Sequence, residues 1–158
     1  ALAPLWRAIV AAARDPFWYR EGVPDTIAGR FDMVAAVTAL VLLRLEAEGP
    51  GGRDGCVLLT EWFVDDMDAS LRQIGIGDYV VGKHVGRAMG ALGGRLAALR
   101  AAQAQGGGLE SAVRRNVFHE APPSEAALAA VTERLERLAA AIAAQPDEAL
   151  GRGELGRW

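Results

Sequence analysis

Residues Thr26–Glu48 read TIAGRFDMVAAVTALVLLRLEAE, and this stretch decides the fold. From Met33 to Leu43 every residue except Thr38 is apolar, and the charged residues Asp32 and Arg44 bracket the run. The run is about half of the roughly 20 apolar residues a helix needs to cross a bilayer. A helix apolar nearly all round but too short to span a membrane belongs in the middle of a protein core. Val23-Pro24-Asp25-Thr26 in front of it supplies a rigid turn and a candidate N-cap. Gly49-Pro50-Gly51-Gly52 ends the helix after Glu48.

On the N-terminal side, Leu2, Leu5, Ile9 and Ala13 share one helical face. Arg7 interrupts this apolar stretch and no basic leader precedes it, so it reads as a packing helix rather than a signal peptide. Asp15-Pro16 then breaks the pattern before the aromatic cluster Phe17, Trp18 and Tyr19. On the C-terminal side the spacing predicts a third helix over about Val57–Ile74. Leu59, Phe63, Met67, Leu71 and Ile74 lie on one face, and Glu61, Asp65, Asp68 and Arg72 on the other. Gly75-Ile76-Gly77-Asp78 gives a glycine stop and an aspartate cap, a connector so tight that the flanking helices must pack as neighbours. The fourth helix runs to about Gln105 along Val81, Val85, Met89, Leu92, Leu96 and Leu99, until Gly106-Gly107-Gly108. A short fifth helix follows over Leu109–Phe118. Beyond Pro122-Pro123-Ser124, a last long helix carries Leu128, Val131, Leu135, Leu138 and Ile142 in alternating steps of three and four. Pro146 interrupts that line.

These elements predict an all-α, single-domain bundle of five to six helices over residues 1–150, with 151–158 a partly ordered tail rich in glycine and charge. A chain of 158 residues is long enough to bury roughly 70 % of its unfolded surface around one core without a staple. Cys56 is the single cysteine and cannot close an internal disulfide, which fits a reducing cytoplasm. The net charge of −3 argues against general nucleic-acid affinity.

No catalytic constellation emerges. Glu61, Asp65 and Asp68 share a face, but neither His84 nor His119 is preceded three residues earlier by the glutamate that helical carboxylate metal sites use. A solvated acidic face, or a partner-binding one, is favoured over a metal site. Gly75-x-Gly77 lacks the third glycine of a dinucleotide loop and follows a helix rather than a strand. The least ordinary feature is the series Gly82, Gly86, Gly90 and Gly94, with Gly93 besides, in the fourth helix. Each costs roughly 0.8–1 kcal/mol relative to alanine in a helix interior. Close approach of another helix of the same fold is the favoured explanation; a groove for a client helix is the sharper one. Lys83, Arg87, His84 and Arg95 form a basic stripe beside it, expected to face solvent.

Several stretches resemble the ubiquinol-cytochrome c chaperone family: VPDTIAGRFDM (23–33), LVLLRL (40–45), FVDDMDASLRQIGIGDYVVGKHV (63–85), Gly94-Arg95, RNVF (115–118) and AAQPDEAL (143–150). Asp66 to Lys83 is the most specific block, joining an acidic helix, a glycine connector and a glycine-lysine pair in fixed order. Two positions depart from the family pattern. Its histidine within the second helix is absent, and Leu92 and Gly93 replace the aromatic residues before its glycine-arginine pair. The resemblance implies no catalysis, metal or cofactor. It implies a bacterial, cytoplasmic chaperone, at or near the inner membrane, that binds newly made cytochrome b or another component of bc1 complex assembly. The implied partner surface comprises Asp25, Arg30, Asp65, Asp66, Asp68, Arg72, Lys83 and Arg95. A helical carrier of an apolar small molecule or lipid and a carboxylate metal-binding protein are the alternatives.

Overall fold

The computed structural model describes residues 2–75, 77–118 and 122–158, with 78–81 described in backbone only. The described residues form eight α-helices and one 3-10 turn: α1 (Ala3–Ala13), α2 (Pro16–Arg20), α3 (Ile27–Glu46), the turn (Gly49–Gly52), α4 (Arg53–Gln73), α5 (Asp78–Ala104), α6 (Glu110–Asn116), α7 (Glu125–Ala143) and α8 (Asp147–Gly151). The count exceeds the expected five to six because two chain breaks each start a five-residue helix. Pro16 is the first residue of α2, where its missing N–H is not needed, and Asp15 Oδ1 accepts from the Phe17 N–H at 2.9 Å. Pro146 stands one position earlier relative to α8, as its N-cap residue, with Asp147 first in the helix.

As its composition demands, α3 is the central helix, packed against α1, α4, α5 and α7. Its one mid-run hydroxyl, Thr38 Oγ1, donates to the Val34 carbonyl at 2.7 Å, so its burial leaves no orphan donor. Thr26 Oγ1 accepts from the Gly29 N–H at 3.0 Å and caps the helix. Gly29 is required here: a Cβ would lie 1.9 Å from the Pro24 carbonyl oxygen, so only glycine lets the turn fold onto the first helical turn. The 3-10 turn reverses the chain into α4. α4 and α5 are neighbours across the glycine connector, where Gly75 ends α4 in a left-handed conformation (φ +84°). Gly77, not Asp78, holds the cap position, and Asp78 is the first residue of α5.

Leu128, Val131, Leu135, Leu138 and Ile142 of α7 are all buried, as their spacing predicts. Ser124 caps this helix by accepting from the Ala127 N–H at 3.1 Å. Residues 151–158, expected as a partly ordered tail, carry two apolar side chains that meet the rest of the fold. Leu155 is buried, and the Trp158 ring stacks on Trp18 with centroids 5.7 Å apart and planes 11° off parallel. Trp18 in turn donates through Nε1 to the Ala12 carbonyl at 2.8 Å, so the two chain ends close against each other.

Candidate functional site

The apolar line of α4 does not stay inside the core. Leu59 and Phe63 are buried and Met67 is half-buried, but Ile74 at the far end is 53 % exposed. The uncovered end forms one wall of a groove of about 540 Å³. Met67, Leu71 and Ile74 face Ile27, Ala28 and Phe31 from the first turns of α3, and α5 supplies Ala88 and Ala91. Ile27, 69 % exposed, and Ile74 are its two lips. A run of rings ties the wall to the core: Phe31 lies 5.8 Å from Phe63, whose ring meets the edge of Trp6 at 6.4 Å.

Asp32 and Arg95 line the groove from below. Both are buried, and they pair with each other across α3 and α5. Arg95 also donates to the Asn116 carbonyl at 3.1 Å, and its guanidinium carbon lies 5.8 Å from the Phe31 ring centre. Burial pulls the Arg95 pKa down while the Asp32 carboxylate beside it pulls it up, the second effect keeping the cation tolerable in place. Arg95 was expected on a solvent-facing basic stripe; it is only 7 % exposed. It lies on the edge of the apolar side of α5, and Asp32 is the acid that meets it there. Half-buried His84 and exposed Arg87 supply the basic rim of the groove.

The glycine series meets no partner among the described residues. A Cβ built on Gly82, Gly86, Gly90, Gly93 or Gly94 would meet no atom within 4 Å, and all five residues are exposed. Close approach of another described helix of this chain is therefore not what the glycines serve. They leave a bare strip along α5 that also carries exposed Lys83, with exposed Arg87 between it and the groove.

The family model of the ubiquinol-cytochrome C chaperone matches residues 20–158. The chain belongs to the ubiquinol-cytochrome c chaperone family. Its structure is similar to the crystal structure of the Cbp3 homolog from Brucella abortus, at 29 % sequence identity and a TM-score of 0.83, over 99 % of this chain and 88 % of that one. Among curated proteins no sequence matches it.

On this chaperone-family fold the partner residues expected from sequence do not converge. Asp25 and Arg30 pair with each other at 2.8 Å in an exposed hollow beside Tyr19, and that hydrogen bond raises the Arg30 pKa. Asp68 pairs with Arg72 at 2.8 Å along the surface of α4. Asp65, Asp66 and Lys83 are exposed and have no ion-pair partner among the described residues. Of the eight, Arg95 alone lines the groove. Ile27, Phe31 and Asp32 were passed over, although an aspartate leading an apolar helix signals a buried counter-charge elsewhere. His119 lies outside the described residues. No cluster of three or more metal-ligating side chains occurs among the described residues.

Proposed function

We propose that this chain is a non-enzymatic assembly chaperone of the ubiquinol-cytochrome c reductase complex that holds newly made cytochrome b in the groove between α3, α4 and α5. The observation that carries the reading is the groove itself, an apolar trough with exposed isoleucine lips in a chain of this family. Covering one such side chain is worth about 1.5–3 kcal/mol, so a few client side chains suffice for a hold that is firm yet reversible. His84 and Arg87 along one edge set orientation and specificity more than affinity. The bare glycine strip beyond them lets a client backbone approach α5 closely. The client being a membrane subunit, the chaperone works at the cytoplasmic face of the inner membrane. No described helix is long and apolar enough to cross a membrane.

The partly open pocket lined by Leu40, Leu99, Val113 and Leu135 measures about 20 Å³, room for a water molecule and not for a lipid.

The test is the double variant I27D/I74D. Both positions are exposed, so the fold tolerates the change, typically within about 0.5 kcal/mol for each surface substitution. The expected result is a normal level of folded variant with a reduced level of assembled complex. Full assembly in its presence overturns the groove assignment.

A further inference from the structure

Three large apolar side chains are exposed on the other side of α4: Val57 (53 %), Leu58 (42 %) and Trp62 (39 %). At 100° per residue they fall on one face together with Asp54, Glu61 and Asp65, opposite the Leu59–Phe63–Leu71 line that packs inward, and Asp66 stands at the edge of that face. None of these four acids has an ion-pair partner among the described residues. Elsewhere arginine neutralises most exposed carboxylates, Glu46 with Arg100, Glu110 and Glu125 with Arg114, Glu133 with Arg137, Asp147 with Arg44, and Glu154 with Arg152; among the described residues Glu136, which accepts from the Leu109 N–H, and Glu148 are the scattered exceptions. On α4 the arginines stand at the ends, Arg53 at the first residue and Arg72 in the last turn.

We propose that this outer face of α4 is a second docking surface, and that it takes a cationic amphipathic helix of a partner protein. The exposed aromatic and aliphatic side chains supply the desolvated centre of such an interface, and the unpaired acids supply a flanking charge that only a basic partner satisfies. From Asp54 to Asp66 the face runs about 18 Å at the helical rise, the length of a partner helix of some three turns. An anionic lipid surface is repelled by the same four carboxylates. The surface lies on the side of α4 away from the groove and stands independently of what the groove binds.

The experiment titrates the intact chain by calorimetry with a designed helical peptide carrying leucine on one face and lysine on the other, and with its leucine-glutamate counterpart. The leucine-lysine peptide binds, and its affinity falls by at least about tenfold in E61K/D65K and in L58S/W62S. It stays within about twofold of the parent in E21K/E148K, which changes net charge equally but away from α4. The leucine-glutamate peptide does not bind. Circular dichroism of each variant confirms folding. Equal losses in E61K/D65K and E21K/E148K overturn the proposal by reducing it to bulk charge. Unaltered binding in the α4 variants overturns it as well. A dimer in sedimentation that E61K/D65K dissolves also overturns it, by making a second copy of the chain the occupant.

Discussion

The triple variant G82A/G86A/G90A should be more stable than the parent chain. A helix-interior glycine is roughly 0.8–1 kcal/mol less favourable than alanine, because it loses more backbone freedom on folding. That gain is usually cancelled where the new methyl collides with a neighbour. Here the added Cβ meets nothing within 4 Å at any of the three sites, so nothing offsets the gain. The expected stabilisation is therefore about 2.4–3 kcal/mol, a large share of a typical net stability of roughly 5–15 kcal/mol. Urea unfolding followed by circular dichroism reads it directly. With a slope near 2 kcal/mol per molar, the midpoint moves up by about 1.2–1.5 M. Thermal midpoints rise by about 2–4 °C for each kcal/mol. An unchanged or lowered midpoint would show that the strip is covered in the folded chain and refute the reasoning. The same variant separates stability from function. Three methyl groups on the strip keep a client backbone off α5, so the more stable protein should support less assembly.

Two further outcomes follow from the packing. Replacing Arg95 by Met, or Asp32 by Asn, removes one charge of the buried pair and should cost about 3–5 kcal/mol in urea unfolding. The double variant D32L/R95M should recover most of that loss; strict additivity would contradict the buried pairing of α3 with α5. Trp158→Ala removes the stack on Trp18 and the Arg134 guanidinium carbon 5.0 Å from the Trp158 ring centre. The loss should be about 1–2.5 kcal/mol from the two contacts, and an unaltered thermal midpoint would show that the chain end is not held there.

Helical order was legible wherever a long apolar period had one consistent partner. The run Met33–Leu43 has no polar side to give it, and the structure buries it from four directions. The α7 line likewise leaves a single face to bury. Short elements were not legible, because proline both ends a pattern and opens a helix. Pro16 and Pro146 do the second as well as the first. The tail looked unattached because Leu155 and Trp158 show no periodicity, and Trp18, which receives Trp158, sits at the opposite end of the chain.

The groove was half legible. The line through Met67, Leu71 and Ile74 was read correctly as one face, but periodicity cannot tell where a core ends and an uncovered wall begins. The glycine series shows the same limit from the other direction. Small residues at helical spacing signal close approach without saying whether the approaching chain is part of the molecule. Charge reading failed at Arg95 because a cation can sit at the edge of an apolar helix face when a buried acid waits opposite it, and Asp32 is that acid.

The central claim is tested most directly by placing a photoreactive phenylalanine at position 27 or 74, with position 148 as a remote control, in the cells that make this protein. Illumination, purification of the tagged chain and mass spectrometry then identify what lies in the groove. The account predicts cytochrome b crosslinked from 27 and 74 and not from 148; a different protein at both groove positions, or the same yield from all three, would contradict it.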